Sequence, residues 1–458
     1  MEPNKCESSA DDYRVFERSL EGKVRSRHHA EYASWHSAAA WNRRKFGRYP
    51  EYIVRATCIV DVVDTIRFAR SHGLTVSVKG SGHSYAGCFL RDNGILLDLS
   101  LLDELKIDPE RNLAMAGPGV TAAQLTQALA RHALAFPTGH GGGVGLGGFL
   151  LGGGLGINCD GWGGMSANGI VAVDVVTADG EVLRADSQRH SDVLWAARGA
   201  GPCTFFVVTR FHVRCQRQPR VIRSYVHRVL PDRLAELTRS IAASAIDPAL
   251  QVMLVVGGVA DSAETGEVAV QLSATAFCDS ADEAERMHRQ LLSAASPMLE
   301  VSATGGTAVG FETIYRQTDA MMLGKRYRAD NIVTDDGAHA ARLLLERFAR
   351  RPSPSTAALM IRRPPCAALD GAFSVSGDFF VSTYAQWNEA ADDERNRIWL
   401  KSLYDALEPS STGCYINEFD LEQRSAALSR CFSAEAWARL RAVRDRRDPD
   451  RVFDIPLP

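Results

Sequence analysis

The sequence predicts a two-domain α+β protein, and three observations predict it. The chain has 458 residues, more than one hydrophobic core of ordinary size encloses. Residues 50–215 alternate helical and strand signals and include a hairpin, which requires antiparallel pairing. Residues 216–410 then run through a second series of strands and helices, and a tail follows. The expected division is a first domain over 1–215 (core about 46–217), a second over 216–410, and a return to the first over 411–458.

The elements follow in order. Ile59, Val62, Val63, Ile66 and Ala69 recur at helical spacing, with Gly73 as the stop. LTVSV (Leu74–Val78) alternates as a strand with Leu74, Val76 and Val78 on one face, and GILLDLS (Gly94–Ser100) reads as a buried strand. TAAQ (Thr121–Gln124) has capping-box spacing and opens a helix to about Leu134. IVAVDVVTADGEVLRA (Ile170–Ala185) is a hairpin turning at Asp179-Gly180, and FFVVTRFHV (Phe205–Val213) is a further strand. In the second region EVAVQLSATAF (Glu267–Phe277) reads as a strand and ADEAERMHRQLLSA (Ala281–Ala294) as a helix. The proline-rich stretch Arg350–Pro365 is expected to be loop, CYINEF (Cys414–Phe419) a strand, and Ser433–Arg447 a helix.

Composition narrows the function. A net charge of -3 and a pI near 6.5 give no basic footprint for nucleic acid. The N-terminus is charged and has no apolar run like that of a signal peptide. Ala133–Cys159 carries no charged residue, but eleven of the residues in Gly139–Gly156 are glycine, so it reads as loop rather than as a helix in lipid. The ten cysteines show neither a CxxC pair nor zinc-like spacing, which suits free thiols in a reducing compartment. A cytoplasmic protein with no metal and no membrane partner is expected; the oligomeric state stays open.

Two glycine loops carry the chemistry. GVGLGG (Gly143–Gly148) matches the dinucleotide fingerprint literally, but that motif needs a strand before it and a helix opening within it. AFPTGHGG precedes it, and FLLGGGLGIN after it looks too glycine-rich for a helix. A linker would carry serine and charge, whereas Val144, Leu146, Phe149, Leu150, Leu151 and Leu155 interleave here. The pattern suits main chain lying close against a flat ligand, with N–H groups on its oxygens. About sixty residues upstream, KGSGHSYAGC (Lys79–Cys88) is a second such loop and holds one histidine, His83.

These loops, taken with PEYIVRATCIVDVVDTIRFARSHGLTVSVKGSGHSYAG (Pro50–Gly87), PTGHGGGVGLGGFLLGGGLGINCDGWG (Pro137–Gly163), VVTADGEVLRAD, DVLWAARGAG, FFVVTRF, CYINEFD (Cys414–Asp420) and RRDPDRVF (Arg446–Phe453), resemble the FAD-linked oxidases of the vanillyl-alcohol-oxidase superfamily, in the berberine-bridge-like branch. The resemblance covers most of the chain. It implies a PCMH-type FAD-binding domain of two α+β subdomains, and a substrate domain of antiparallel sheet covered by helices.

The family's R-x-G-G-H loop binds the FAD pyrophosphate, and its histidine is bonded to the flavin 8α-methyl carbon. Here the loop reads Lys79-Gly80-Ser81-Gly82-His83, so the resemblance implies a covalent link through His83, a neutral nucleophile near pH 7. A histidine that only hydrogen-bonds phosphate is the alternative. Lys79 replaces the usual arginine and loses its bidentate fork. The implied cofactor contacts are Lys79, Gly80, Ser81, Gly82 and Ser84 in the first loop. In the second they are Gly139, His140, Val144, Gly145, Gly148, Gly152, Gly153, Gly156 and Asn158, with Val207 and Asn417 beyond it.

Relatives often carry a second flavin link through a cysteine. Gly141 stands at that position, so a single covalent bond is expected, with more room beside the flavin; Cys88 and Cys159 do not match. Phe206 replaces a common glycine, and Val144 falls where the family controls oxygen access. The implied reaction gives a hydride to the flavin while a base takes a proton, and O2 is then reduced to H2O2. Strand alternation in CYINEF would set Tyr415 and Asn417 on one face and Ile416 and Glu418 on the other. Glu418 is the expected base, with Tyr415 a flavin contact or second candidate. The substrate would be an alcohol, an amine or a secondary metabolite. A dehydrogenase using another acceptor, an oxidative cyclase and a non-catalytic flavin-binding protein remain as alternatives. Tyr315, Lys325, Arg326 and Tyr327 form a polar-aromatic cluster with no assigned role.

Overall fold

The structure is a computed structural model that describes residues 10–257, 268–300, 305–322, 324–364 and 370–456. It is a mixed α+β architecture with three main sheets. The first has four strands in the order Val24–Ser26, Tyr52–Arg55, Ile95–Asp98 and Val76–Lys79, the last three mutually parallel. The helix Ile59–Ser71 makes the crossover that parallel pairing needs. It starts where Asp61 accepts the N–H groups of Thr57 and Cys58 at 2.7 and 3.2 Å, and stops before Gly73 at φ +63°. Val62, Ile66 and Ala69 are buried as their spacing predicts, whereas Ile59 faces outward.

The second sheet has five antiparallel strands: Leu105–Asp108, Leu113–Ala116, Val207–Arg214, Ile170–Val176 and Val182–Asp186. Its hairpin turns at Asp179-Gly180, with Gly180 at φ +78° and the Thr177 N–H donating to the Glu181 carbonyl at 3.0 Å. Thr121 and Gln124 form the capping box, but the helix ends at Ala130, because Ala133 adopts φ +51°.

The third sheet has seven antiparallel strands in the order Thr307–Ala308, Val221–Val229, Val270–Cys278, Leu250–Gly257, Ala357–Arg362, Phe379–Trp387 and Arg326–Thr334. Helices Leu234–Ala242, Ala281–Ala295, Gly337–Phe348 and Asp393–Leu407 pack on it. Glu267, the expected start of one strand, lies outside the described residues.

Three expectations need correction. Arg350–Pro365 is not all loop: Ala357–Arg362 pairs with strands on both sides, and Pro352, Pro354 and Pro364 mark its flanks. Leu146–Leu151 is a short helix despite its two glycines, since Leu146 and Leu150 are buried at helical spacing. CYINEF is not a strand: Ile416–Glu418 is a 3₁₀ turn, for a reason that lies in the site itself.

Candidate active site

The two glycine loops meet. The Gly145 N–H donates to Ser81 Oγ at 2.9 Å, and a Cβ at Gly143 would lie 3.6 Å from His83 Cε1 and Nε2. Close approach forces glycine at several points. Gly82 sits at φ +81°, where a Cβ would fall 2.2 Å from the Ala39 carbonyl oxygen; at Gly152 it would fall 2.1 Å from Asn417 Oδ1. Among the described residues, the N–H groups of Ser81 to Ala86 and of Gly139 to Gly143 make no backbone hydrogen bond. Gly143 and Gly148 are exposed, and nothing lies within 4 Å of a Cβ built at Gly148. Rows of free donors beside an open slot suit the phosphate and carbonyl oxygens of a dinucleotide, so the residues present fit FAD.

The cradle is main chain, not cation. Lys79 is buried with Nζ 2.9 Å from Asp98 Oδ1, so its charge is answered within the fold rather than in the loop. Ser84 Oγ accepts the Cys88 N–H at 3.3 Å and holds the loop's turn. A Cβ at Gly139 would lie 3.2 Å from Val144 Cγ1, Gly153 adopts φ +105°, and a Cβ at Gly156 would fall 2.3 Å from the Pro137 carbonyl oxygen. Val207 is fully buried in its strand. His140 accepts from Gln251 Nε2 at 3.0 Å, and burial lowers its pKa to about 4, so the ring is neutral. The Asn158 N–H donates to Gln251 Oε1 at 3.0 Å.

Asp319 stands beside Gly141 and Gly142. A Cβ at Gly141 would lie 3.2 Å from Asp319 Oδ1, and one at Gly142 would lie 3.4 Å from Asp319 Oδ2 and from Tyr315 Cβ. The helix Phe311–Met322 delivers both side chains, locked down by Tyr315 Oη at 2.7 Å from Thr126 and 2.6 Å from Thr138. Phe206 is buried in the core, edge-on to Phe205 at 5.3 Å.

His83 is part-buried. Ser81 Oγ lies 2.9 Å from its Nδ1, and Trp41 stacks on its ring at 5.4 Å and 18°. Burial lowers its pKa to about 4, so the imidazole is neutral. From His83 an aromatic wall runs through Trp41, 5.6 Å from Tyr85 and 4.8 Å from Tyr327, and on to Tyr384, 5.6 Å from Tyr85.

That wall ends at Glu418. The turn carrying it exists because Asn331 claims the Tyr415 backbone: the Tyr415 N–H donates to Asn331 Oδ1 at 2.6 Å, and Asn331 Nδ2 to the Tyr415 carbonyl at 2.9 Å. A side chain stands where a neighbouring strand would have to pair. Tyr415 Oη accepts from the Leu155 N–H at 3.3 Å and from Asn417 Nδ2 at 2.9 Å, and burial pushes its pKa up. Tyr415 and Asn417 thus meet by this hydrogen bond, not by alternation.

Glu418 Oε2 accepts from Ser382 Oγ at 2.6 Å and Tyr384 Oη at 2.7 Å. Burial raises its pKa, and the two hydroxyls pull it back. Its Oε1 has no hydrogen-bond partner among the described residues. Sequence reasoning missed Trp41, Ser382 and Tyr384, which arrive from distant segments. Tyr85 was within its reach, two residues past His83 on the same loop.

Comparison with known proteins agrees with this geometry. Residues 50–186 match the family model described as FAD binding domain. The chain is 28% identical over 435 residues to the FAD-linked oxidoreductase nodO of Hypoxylon pulicicidum, covering 91% of this chain and 93% of that one. It is 36% identical over 183 residues to the (R)-6-hydroxynicotine oxidase of Paenarthrobacter nicotinovorans, covering 40% and 39% of the two. The fold matches BBE-like 1 of Physcomitrella patens with a TM-score of 0.83 at 16% identity, over 97% of this chain and 98% of the other. No helix among the described residues is long and apolar enough to cross a membrane. The chain therefore carries an FAD binding domain over residues 50–186, is similar to FAD-linked oxidoreductases along most of its length, and shares the fold of BBE-like 1.

Proposed function

We propose that this protein is an oxidase with FAD bound covalently through His83, taking hydride from an alcohol, amine or secondary-metabolite substrate and reducing O2 to H2O2. Bound FAD would supply the two-electron acceptor. The observation that carries the reading is Glu418, a part-buried carboxylate with one oxygen fixed by two hydroxyls and the other without a hydrogen-bond partner among the described residues, at the end of an aromatic wall that begins at His83.

Glu418 takes the substrate's O–H or N–H proton through Oε1. Its raised pKa brings it nearer to the pH at which a general base works best. Ser382 and Tyr384 hold the carboxylate in one orientation. Tyr415, whose oxygen already accepts two hydrogen bonds, positions rather than abstracts. Trp41 and Tyr85, backed by the buried Tyr327, supply apolar faces that hold an organic substrate and exclude water. His83 is neutral and holds its lone pair ready. Val144 sets oxygen access, and the relative named an oxidase supports O2 as acceptor.

Two measurements test this. Acid precipitation is expected to leave the yellow colour with the pellet for the wild type and in the supernatant for His83→Ala; a colourless wild-type pellet removes the covalent link. Stopped-flow mixing of reduced protein with air is expected to reoxidise it within a turnover; reoxidation far slower than turnover assigns another acceptor.

A further inference from the structure

We infer that Asp319 is a specificity-determining residue for a substrate that carries a positive charge: an organic cation whose charged nitrogen is held by this carboxylate while Glu418 takes a proton elsewhere on the molecule. The inference rests on the reading above and narrows its substrate class. The helix Phe311–Met322 lies across the second glycine loop, pinned by the Tyr315 hydroxyl on Thr126 and Thr138. Asp319 follows Tyr315 by four residues and so shares its face of the helix. Both side chains reach the loop. Tyr315 Cβ and Asp319 Oδ2 each lie 3.4 Å from a Cβ built at Gly142, and Asp319 Oδ1 lies 3.2 Å from one built at Gly141.

The described residues leave this carboxylate unanswered. Asp319 is part-buried, yet among them it makes no hydrogen bond and no ion pair. The cations of its own helix and of the segment that follows are engaged elsewhere. Arg316 Nη2 turns back to Thr313 Oγ1 at 3.4 Å. Lys325 Nζ donates to the Met321 carbonyl at 3.4 Å and to Gln386 Oε1 at 3.2 Å, and Arg326 pairs with Asp393. In the two glycine loops His83 and His140 are neutral, and Lys79 is paired with Asp98. A carboxylate partly out of water gains by meeting a cation, and none of these groups supplies one.

Asp319 also stands at one end of the surface that a substrate would cover. Gly141 and Gly142 lead into Gly143, whose built Cβ lies 3.6 Å from the His83 ring, and Trp41 stacks on that ring. From there the aromatic wall runs through Tyr85 and Tyr384 to Glu418. Asp319 is thus at the His83 end of the wall and Glu418 at the other. A substrate lying along it presents its reacting C–H and its O–H or N–H near Glu418 and a charged nitrogen to Asp319. Aromatic rings between the two also favour a cation over an anion. The two carboxylates divide the work: Glu418, held by two hydroxyls, moves a proton, and Asp319, held by none, meets a charge.

The test is to titrate the flavin absorbance of the holoprotein with benzyltrimethylammonium, a permanent cation, and with benzamide, a neutral molecule of similar size. The wild type is expected to bind the cation, and high salt to weaken that binding. Asp319→Asn keeps the shape and removes the charge. It is expected to weaken the cation about fivefold, the worth of an ion pair partly open to water, and to leave benzamide unchanged. Asp319→Glu, which keeps the charge, is expected to retain more affinity for the cation than Asp319→Asn does. Equal effects of Asp319→Asn on the two probes overturn the inference. So does no effect on either, or a wild-type flavin spectrum that the cation does not perturb. Oxygen plays no part in the titration, so slow reoxidation by air would overturn the acceptor assigned above and not this inference. A protein that takes up no FAD overturns the flavin reading itself, and this inference with it.

Discussion

Glu418, part-buried, and Asp330, buried, are carboxylates near the same joint, and desolvation raises the pKa of each. Their partners differ. Asp330 receives Arg424 Nη1 at 2.9 and 2.8 Å on its two oxygens and the Asn331 N–H at 2.9 Å. Around it Arg328 pairs with Asp420 at 3.2 Å and Arg44 with Glu422 at 2.8 Å. Glu418 receives two neutral hydroxyls on one oxygen and, among the described residues, no cation. At Asp330 a guanidinium opposes the effect of burial with a full charge; at Glu418 only hydroxyls oppose it, and they orient the carboxylate without pairing its charge. Burial alone does not mark a base. An oxygen left free and uncommitted does.

Glu418→Gln tests the first half of that contrast and carries the largest expected effect. The amide keeps its carbonyl oxygen for Ser382 and Tyr384 but takes up no proton. Turnover is expected to fall by about 10²–10⁴-fold, or roughly 3–5 kcal/mol, with flavin content and melting temperature little changed. The pH profile sharpens it. A base works ionised, so wild-type activity is lost as pH falls through the raised pKa of Glu418, and the variant's residual rate lacks that acid limb. Full activity in the variant would erase the distinction.

Arg424→Met tests the other half. It leaves Asp330 buried and unpaired, and breaking such a pair costs about 3–5 kcal/mol of stability by denaturant titration. Arg424→Met combined with Asp330→Asn is expected to recover much of the loss, since no uncompensated charge remains. A loss below about 1 kcal/mol in the single variant would place this pair among exposed ones and break the comparison.

What could be read from the sequence tracks how local the physics is. The helix at 59–71, the capping box at Thr121 and the hairpin at Asp179-Gly180 depend on neighbours in sequence, and all were legible. The strand Ala357–Arg362 was hidden because its flanking prolines outweighed a short apolar run that pairs on both sides. CYINEF alternates like a strand, yet Asn331, over eighty residues upstream, claims its backbone. His83 and Glu418 stood out as residues. The hydroxyls that orient Glu418 and the Asp319 carboxylate that stands beside Gly141 come from remote segments with no motif of their own.

A third buried site sharpens the contrast with the smallest effect. His227 and His288 meet with their Nε2 atoms 2.9 Å apart, and Tyr225 stacks on His288 at 3.8 Å while its hydroxyl reaches Glu285 at 3.1 Å. Burial lowers the pKa of both rings, His288 to about 4. The folded pair therefore stays neutral where the unfolded histidines, near 6.5, already bind protons. Between those values the unfolded state holds more protons, so stability falls as pH falls. Denaturant titration at pH 7 and pH 5 is expected to show the wild type losing about 1 kcal/mol more than His227→Gln, which removes one of the two groups. Both this pair and Glu418 fail on the acid side, but for separable reasons. The histidines change how much protein is folded, whereas Glu418 changes the rate of the protein that is. If His227→Gln also removed the acid limb of turnover, that limb would report unfolding, and Glu418 would lose its kinetic signature as the base.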